Sequence, residues 1–325
     1  MIKCKKMILL VVFLMFVGCN PIISKANDLN DVVTYYEYPI TINSADWFEY
    51  SVLEKVEMLK IPQAVLEKMS DDAVVQAVLD YPYLVDIFAY NDIQEGYESF
   101  ANYCSAFGEL LKRDSAIQLL ETYGESNARS LTSLDSFQVH ALSDIQNYLL
   151  YSNARSLGFP SQIGSQTIYT PNGSAVQAIK FNEPDTASAH NVEDAKIVQT
   201  YGVTLVLPGS CKYNCHSYAW YAQSSANILW INSPAPYITD GSYVCVCTGG
   251  YSSPTNNFNI SVNDRVVYYL NGNITHTALF KGNPASGAAL ATQLCYSKWG
   301  RLGVFAHTLS NVPANYGSTI NIWHR

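Results

Sequence analysis

The chain has 325 residues with 19 Lys and Arg against 27 Asp and Glu, a formal charge of −8, and close to half its residues are hydrophobic. That acidic balance argues against nucleic acid as a partner, and the composition argues against disorder. The length allows one large domain or two of ordinary size.

Lys3, Lys5 and Lys6 precede an apolar run from Met7 to Val17, and Ser24-Lys25-Ala26 supplies small residues at a cleavage position. This pattern predicts a secretory signal peptide over residues 1–26 and a secreted or extracellular protein. Gly18-Cys19 keeps open a lipoprotein signal instead, with a lipid anchor on Cys19 at the cell surface, although Phe16 stands where such sites usually carry an aliphatic residue. Cleavage after Ala26 removes four lysines and no acids, taking the charge from −8 to −12. No later stretch reaches the roughly 18 apolar residues that a membrane span requires.

From Ala45 to about Asn153 the apolar spacing is helical. Trp47, Val52, Val56 and Leu59 recur every three or four residues, and similar stripes run through 64–68, 74–79, 93–111 and 134–151. Pro62 suits a first turn, and Ser70 before Asp71 and Asp72 suits an N-cap with acids at the positive end of the dipole. Residues 27–155 therefore read as a helical accessory bundle, with His140 an ordinary side chain in it.

The pattern changes after Asn153. Two β-rich runs flank Pro171-Asn172-Gly173, a hairpin signal, and Thr200–Leu207 is a further β-rich run ending at Pro208. A short helix is expected to begin near Asn214. Beyond it come strands at 243–247, 265–270, 276–280, 290–296, 303–307 and 319–323. The expected fold class is α+β, a helical bundle followed by a domain over 160–325 with a central helix on an antiparallel sheet.

Six cysteines follow residue 26, and five of them lie in the second half of the chain. Cys215 stands where Asn214 caps a helix, and a helix N-terminus favours the thiolate that attacks carbonyls. Its neighbour His216 projects about 100° away around the helix and is a poor base for it. His276 opens the run His-Thr-Ala-Leu-Phe after an Asn-Gly-Asn turn, so a strand can bring its imidazole across to the helix. Two other states of Cys215 compete. Export permits a disulfide, with Cys211, Cys245, Cys247 or Cys295 as partner. Cys211, Cys215, Cys245, Cys247 and His216 also offer zinc ligands, but their spacing is not that of a zinc knuckle. No cofactor or metal is expected.

The ordered blocks "YNCHSYAW", "VNDRVVYY", "THTALF", "YSKWG" and "GVFAH" resemble those of papain-like cysteine amidases and peptidases of the NlpC and CHAP type, over roughly residues 165–325. The resemblance implies Cys215 as nucleophile and His276 as base, with Asp264 in a structural turn where Asn263 replaces the usual glycine. It implies a polar residue that orients the histidine, for which Ser297 and His307 are the candidates, or else a dyad. The oxyanion hole then combines the Cys215 N–H with the Asn214 side chain or the Tyr213 hydroxyl. Cys211 is the expected disulfide half beside the site. The implied activity is hydrolysis of amide bonds, with peptidoglycan stem peptides or other peptides as substrate. The absence of a carboxylate at the third position keeps a second expectation open: a binding module on an inactive papain-like scaffold.

Overall fold

Local signals place the first helices where the apolar stripes predict them. The computed structural model describes residues 32–129, 134–151, 160–251, 253–255, 260–283 and 287–325, so the expected leader, Cys19 and most of the expected linker near 155 lie outside the described residues. Helix α1 (Val52–Met58) is opened by a reciprocal capping box between Ser51 and Glu54. A short α2 (Gln63–Leu66) precedes α3 (Asp71–Leu79), capped by Ser70 as expected. A 3₁₀ turn (Leu84–Phe88) leads to α4 (Ile93–Tyr103), capped by Asp92. Helices α5 (Ser105–Leu110), α6 (Ala116–Arg129) and α7 (Ser136–Tyr151) complete the helical region.

The second half mixes helix and sheet, and the α+β class holds. Strands β1 (Gln162–Tyr169) and β2 (Ala175–Phe181) form the hairpin predicted at Pro171-Asn172-Gly173 and add β4 (Trp230–Ile231) to make a small sheet. A helix not expected from the sequence, α8 (Ala187–Tyr201), takes the start of the β-rich run, leaving β3 (Thr204–Leu207) for its end. Thr186 caps α8, and Gly202, at φ 65, closes it in the left-handed conformation. Then follow α9 (Cys215–Trp220), α10 (Ala235–Thr239) and the strands β5 (Val244–Gly250), β6 (Ser253–Thr255), β7 (Arg265–Leu270), β8 (Asn273–Phe280), β9 (Leu294–Lys298), β10 (Val304–Thr308) and β11 (Thr319–His324). The main sheet is antiparallel in the order β3-β10-β9-β8-β7-β11-β5-β6.

Strand alternation sorts its side chains between two faces. Val266, Tyr268, Ala278, Phe280 and Ile322 face the helical region, in a core that runs without a break from Tyr36 through Phe107 and Ile145 to Tyr316. Val267 and Leu279 face the other way, onto Tyr218, Trp220, Tyr237 and Tyr243 around α9 and α10. The helical region is thus one outer layer of a sandwich, with the sheet in the middle.

Buried polar contacts tie the layers together. The Trp47 indole donates to the Thr200 carbonyl at 2.8 Å, and the Tyr201 hydroxyl donates to Asp86 at 2.7 Å. Arg301 packs its guanidinium 4.0 Å over Phe88 and donates to both Asp144 and Glu193 at 2.6 Å. At the β9–β10 turn, Gly300 has φ +49, and a Cβ there would sit 2.5 Å from the Phe88 carbonyl oxygen. Only glycine lets that turn lie so close to the backbone before α4. Among the described residues no helix is long and apolar enough to cross a membrane.

Candidate functional site

The Asn214 side chain fixes the start of α9. Its Oδ1 accepts from the backbone N–H of Ser217 and of Ile231, and its Nδ2 donates to the Ile231 carbonyl at 2.8 Å. The amide thus caps α9 and joins it to β4, with one Nδ2 hydrogen committed to the Ile231 carbonyl. Cys215 follows as the first residue of the helix, 1% exposed, where unsatisfied N–H groups favour a thiolate.

The Asn91 Nδ2 reaches the Cys215 sulfur at 3.4 Å, and His276, buried on β8, and the Thr277 backbone lie near enough to act on its charge. Burial alone would raise the Cys215 pKa, but the charge and hydrogen bond of His276, followed by Asn91 and Thr277, outweigh it and hold the thiol below its ordinary value. The His276 pKa is itself lowered, chiefly by burial and against the pull of the thiol. Nucleophile and base expected from the sequence are therefore brought together.

His216 is nearer the thiol than helical geometry suggested. Its Nδ1 stands 3.6 Å from the Cys215 sulfur and 3.0 Å from the Thr277 hydroxyl, and its Nε2 stands 3.4 Å from the Asn91 amide. With Nε2 accepting from Asn91, Nδ1 carries the proton and points toward Thr277 and the sulfur. Burial pushes its pKa down to about 4, against the pull of Glu95, so at neutral pH it is an uncharged donor rather than a base.

The third position differs from expectation. The His276 Nε2 has no hydrogen-bond partner among the described residues. Its ring lies flat on Tyr316, with centroids 3.9 Å apart and planes at 11°, and the Tyr316 hydroxyl is anchored on the Ala89 carbonyl. Ser297 and His307 are buried but bond to each other at 2.7 Å, and the Trp299 indole donates to the Ser297 hydroxyl at 2.9 Å. Trp299 packs against both His307 and Tyr316, so this pair backs the wall behind Tyr316 and does not hold His276 by a hydrogen bond. His307 is pushed down to about 4 by burial. Tyr213 is also buried, with its hydroxyl unpartnered among the described residues and Lys298 Nζ 5.0 Å over its ring.

Sequence reasoning missed Asn91. An asparagine just before an α4 cap gives no local chemical signal, and only the close approach of the Phe88–Tyr90 segment to Gly300 carries it to the thiol. Beside it opens a cleft of about 1060 Å³, whose lining includes Asn91, Glu95, His216, Phe181, Trp230 and Ile274. The Glu95 pKa is raised, by burial first and by Asp92 second.

All six described cysteines are free thiols, so the disulfide expected at Cys211 is not formed. Cys211 instead donates to Asp185 at 3.3 Å. His190 is 4% exposed, and His324 bonds Asp264 at 2.8 Å. Searches of known families, curated proteins and solved structures find no match to this chain.

Proposed function

We propose that the protein is a cysteine amidohydrolase with a papain-like arrangement, acting outside the cytoplasm on peptide or peptidoglycan-type amides. The observation that carries this is a thiol of lowered pKa at a helix N-terminus, facing a strand-borne imidazole beside an open cleft. Cys215 attacks the carbonyl carbon while His276 takes the thiol proton. The Cys215 N–H serves the charge that develops on the carbonyl oxygen, with the neutral His216 as a further donor, while Asn91 attends the thiolate. Collapse of the tetrahedral species breaks the C–N bond, His276 returns its proton to the departing amine, and a thioester remains. Water then adds to the thioester with His276 as base, the C–S bond breaks, the acid departs and the Cys215 thiol is regenerated.

A binding module on an inactive scaffold is the second reading, and the His276 Nε2 favours it, because no group among the described residues hydrogen-bonds that nitrogen to orient the ring from behind. A chloromethylketone or acyloxymethylketone probe on the reduced protein separates the two. Labelling that is lost in Cys215→Ala and falls steeply in His276→Ala, together with turnover of stem peptides, supports the enzyme. Folded wild type that neither labels nor turns over amides refutes it.

A further inference from the structure

The loop that delivers Cys215 is held by a second cluster, in which the half-buried Glu183 and Asp185 and the buried His190 and Cys211 bring one ligand atom each to within 4.8 Å of one another. His190 Nε2 lies 3.0 Å from a Glu183 oxygen, and the Cys211 sulfur lies 3.3 Å from an Asp185 oxygen. Zinc bonds of about 2.0–2.3 Å place tetrahedral ligand atoms roughly 3.3–3.8 Å apart. The side chains are therefore gathered at nearly the spacing a tetrahedral ion imposes, before any large movement.

We propose that these four side chains form a structural zinc site of the thiolate, imidazole and two-carboxylate type. Thiolate, nitrogen and oxygen donors together suit a borderline-soft ion such as zinc better than magnesium or calcium, which take oxygen ligands. The surroundings of His190 support the assignment independently. Among the described residues its second nitrogen, Nδ1, has no hydrogen-bond partner and faces, at 3.6 Å, the Glu193 Oε2 that also has none; both residues are at least 96% buried, at 4% and 0% exposure. A histidine that ligates a metal through one nitrogen ordinarily donates the other to such an outer carboxylate. A small rotation closes that bond once Nε2 turns from Glu183 to the ion.

Charge is consistent as well. One thiolate, two carboxylates and a neutral imidazole around a divalent ion leave a net charge of −1. The Arg301 guanidinium, 3.7 Å from Asp185, faces it. On binding, the thiol proton and one imidazole proton pass to water. The adjoining group of His140, Asp144 and Glu193 takes no ion in this scheme, because Arg301 already donates to both of its carboxylates at 2.6 Å. The closed ligand set leaves no position for substrate, which makes the role structural. It clips the start of α8 to the segment just before Cys215.

The test is the metal content of the full chain. Protein expressed with its natural export, or purified and reconstituted with zinc chloride, is expected to hold about one zinc per chain. A chelator should lower its melting temperature, and cobalt in place of zinc should give a thiolate-to-metal charge-transfer band. Cys211→Ser and His190→Gln should each reduce zinc to below roughly one-tenth per chain, whereas Cys215→Ser should keep it. A folded wild type that takes up no zinc and no cobalt overturns the proposal even if the variants fail to fold. So does zinc that is lost in Cys215→Ser and kept in Cys211→Ser.

Discussion

Replacing Asn91 by alanine removes a side-chain donor from the Cys215 sulfur while leaving the Asn214 cap and the Thr277 N–H in place. A hydrogen bond to a charged group contributes about 1.5–3 kcal/mol, which corresponds to roughly 12- to 160-fold less thiolate on the acid limb of the profile. The more basic thiolate that results is also more nucleophilic, which offsets about half of this on a logarithmic scale. The net expectation is a roughly 3- to 13-fold slower alkylation of Cys215 below the midpoint, with the midpoint itself moved to higher pH. The assay is iodoacetamide labelling across pH, read at the Cys215 peptide by mass spectrometry, because the chain carries other free thiols. It needs no knowledge of the substrate. Superimposable wild-type and Asn91→Ala profiles, in a variant with unchanged circular dichroism, would refute the assignment of Asn91 to the thiolate.

Two further perturbations test the frame around the site. Arg301→Leu strands Asp144 and Glu193 without their cation and should cost about 3–5 kcal/mol of stability, visible as a lower urea midpoint; an unchanged midpoint would contradict the network. Asp86 is buried beneath the Tyr201 and Tyr103 hydroxyls, and burial, opposed by those bonds, pushes its pKa to about 7 from an ordinary 3.8. The folded state therefore holds this proton more tightly than the unfolded chain, so its contribution is complete below about pH 4 and is lost as pH rises to about 7, on the order of 4 kcal/mol in all. Asp86→Asn should flatten that part of the pH–stability curve and be the more stable form at pH 8. A variant curve parallel to wild type from pH 4 to 7 would rule this out.

The parts of the site that follow from neighbours in sequence were legible before the fold. Asn214 next to Cys215 announces a capped helix, and the Asn-Gly turn announces the strand that carries His276, which begins earlier than expected, at Asn273. The parts set by distant packing were not. Asn91 meets Cys215 across a separation of 124 residues, through a turn whose only local sign is Gly300. Tyr316 holds His276 through an aromatic face, and no spacing rule in a sequence specifies a stack. His216 comes closer to the thiol than the helical angle suggested, though its low pKa leaves it a poor base as expected. A six-residue helix begun by Cys215 and pressed on β8 lets two successive side chains reach the same point. The α8 helix was hidden because its polar face is turned inward: His190, Glu193 and Asp194 are buried there, so apolar periodicity is weak. The α+β class survived all of this because it depends on the order of elements and not on which residues meet.

The unbroken core between the helical layer and the sheet bears on how such a chain can change over evolutionary time. A catalytic unit enclosed by its own surface can be duplicated, fused or lost as a cassette. Here the segment from 160 onward lacks Asn91 and the Ala89 carbonyl that anchors Tyr316, and by itself it would bare the face formed by Tyr268, Ala278 and Phe280. Recombination at the visible seam in the sequence would break the site it seems to spare. The two halves must therefore be inherited together, and drift in one constrains what the other can accept.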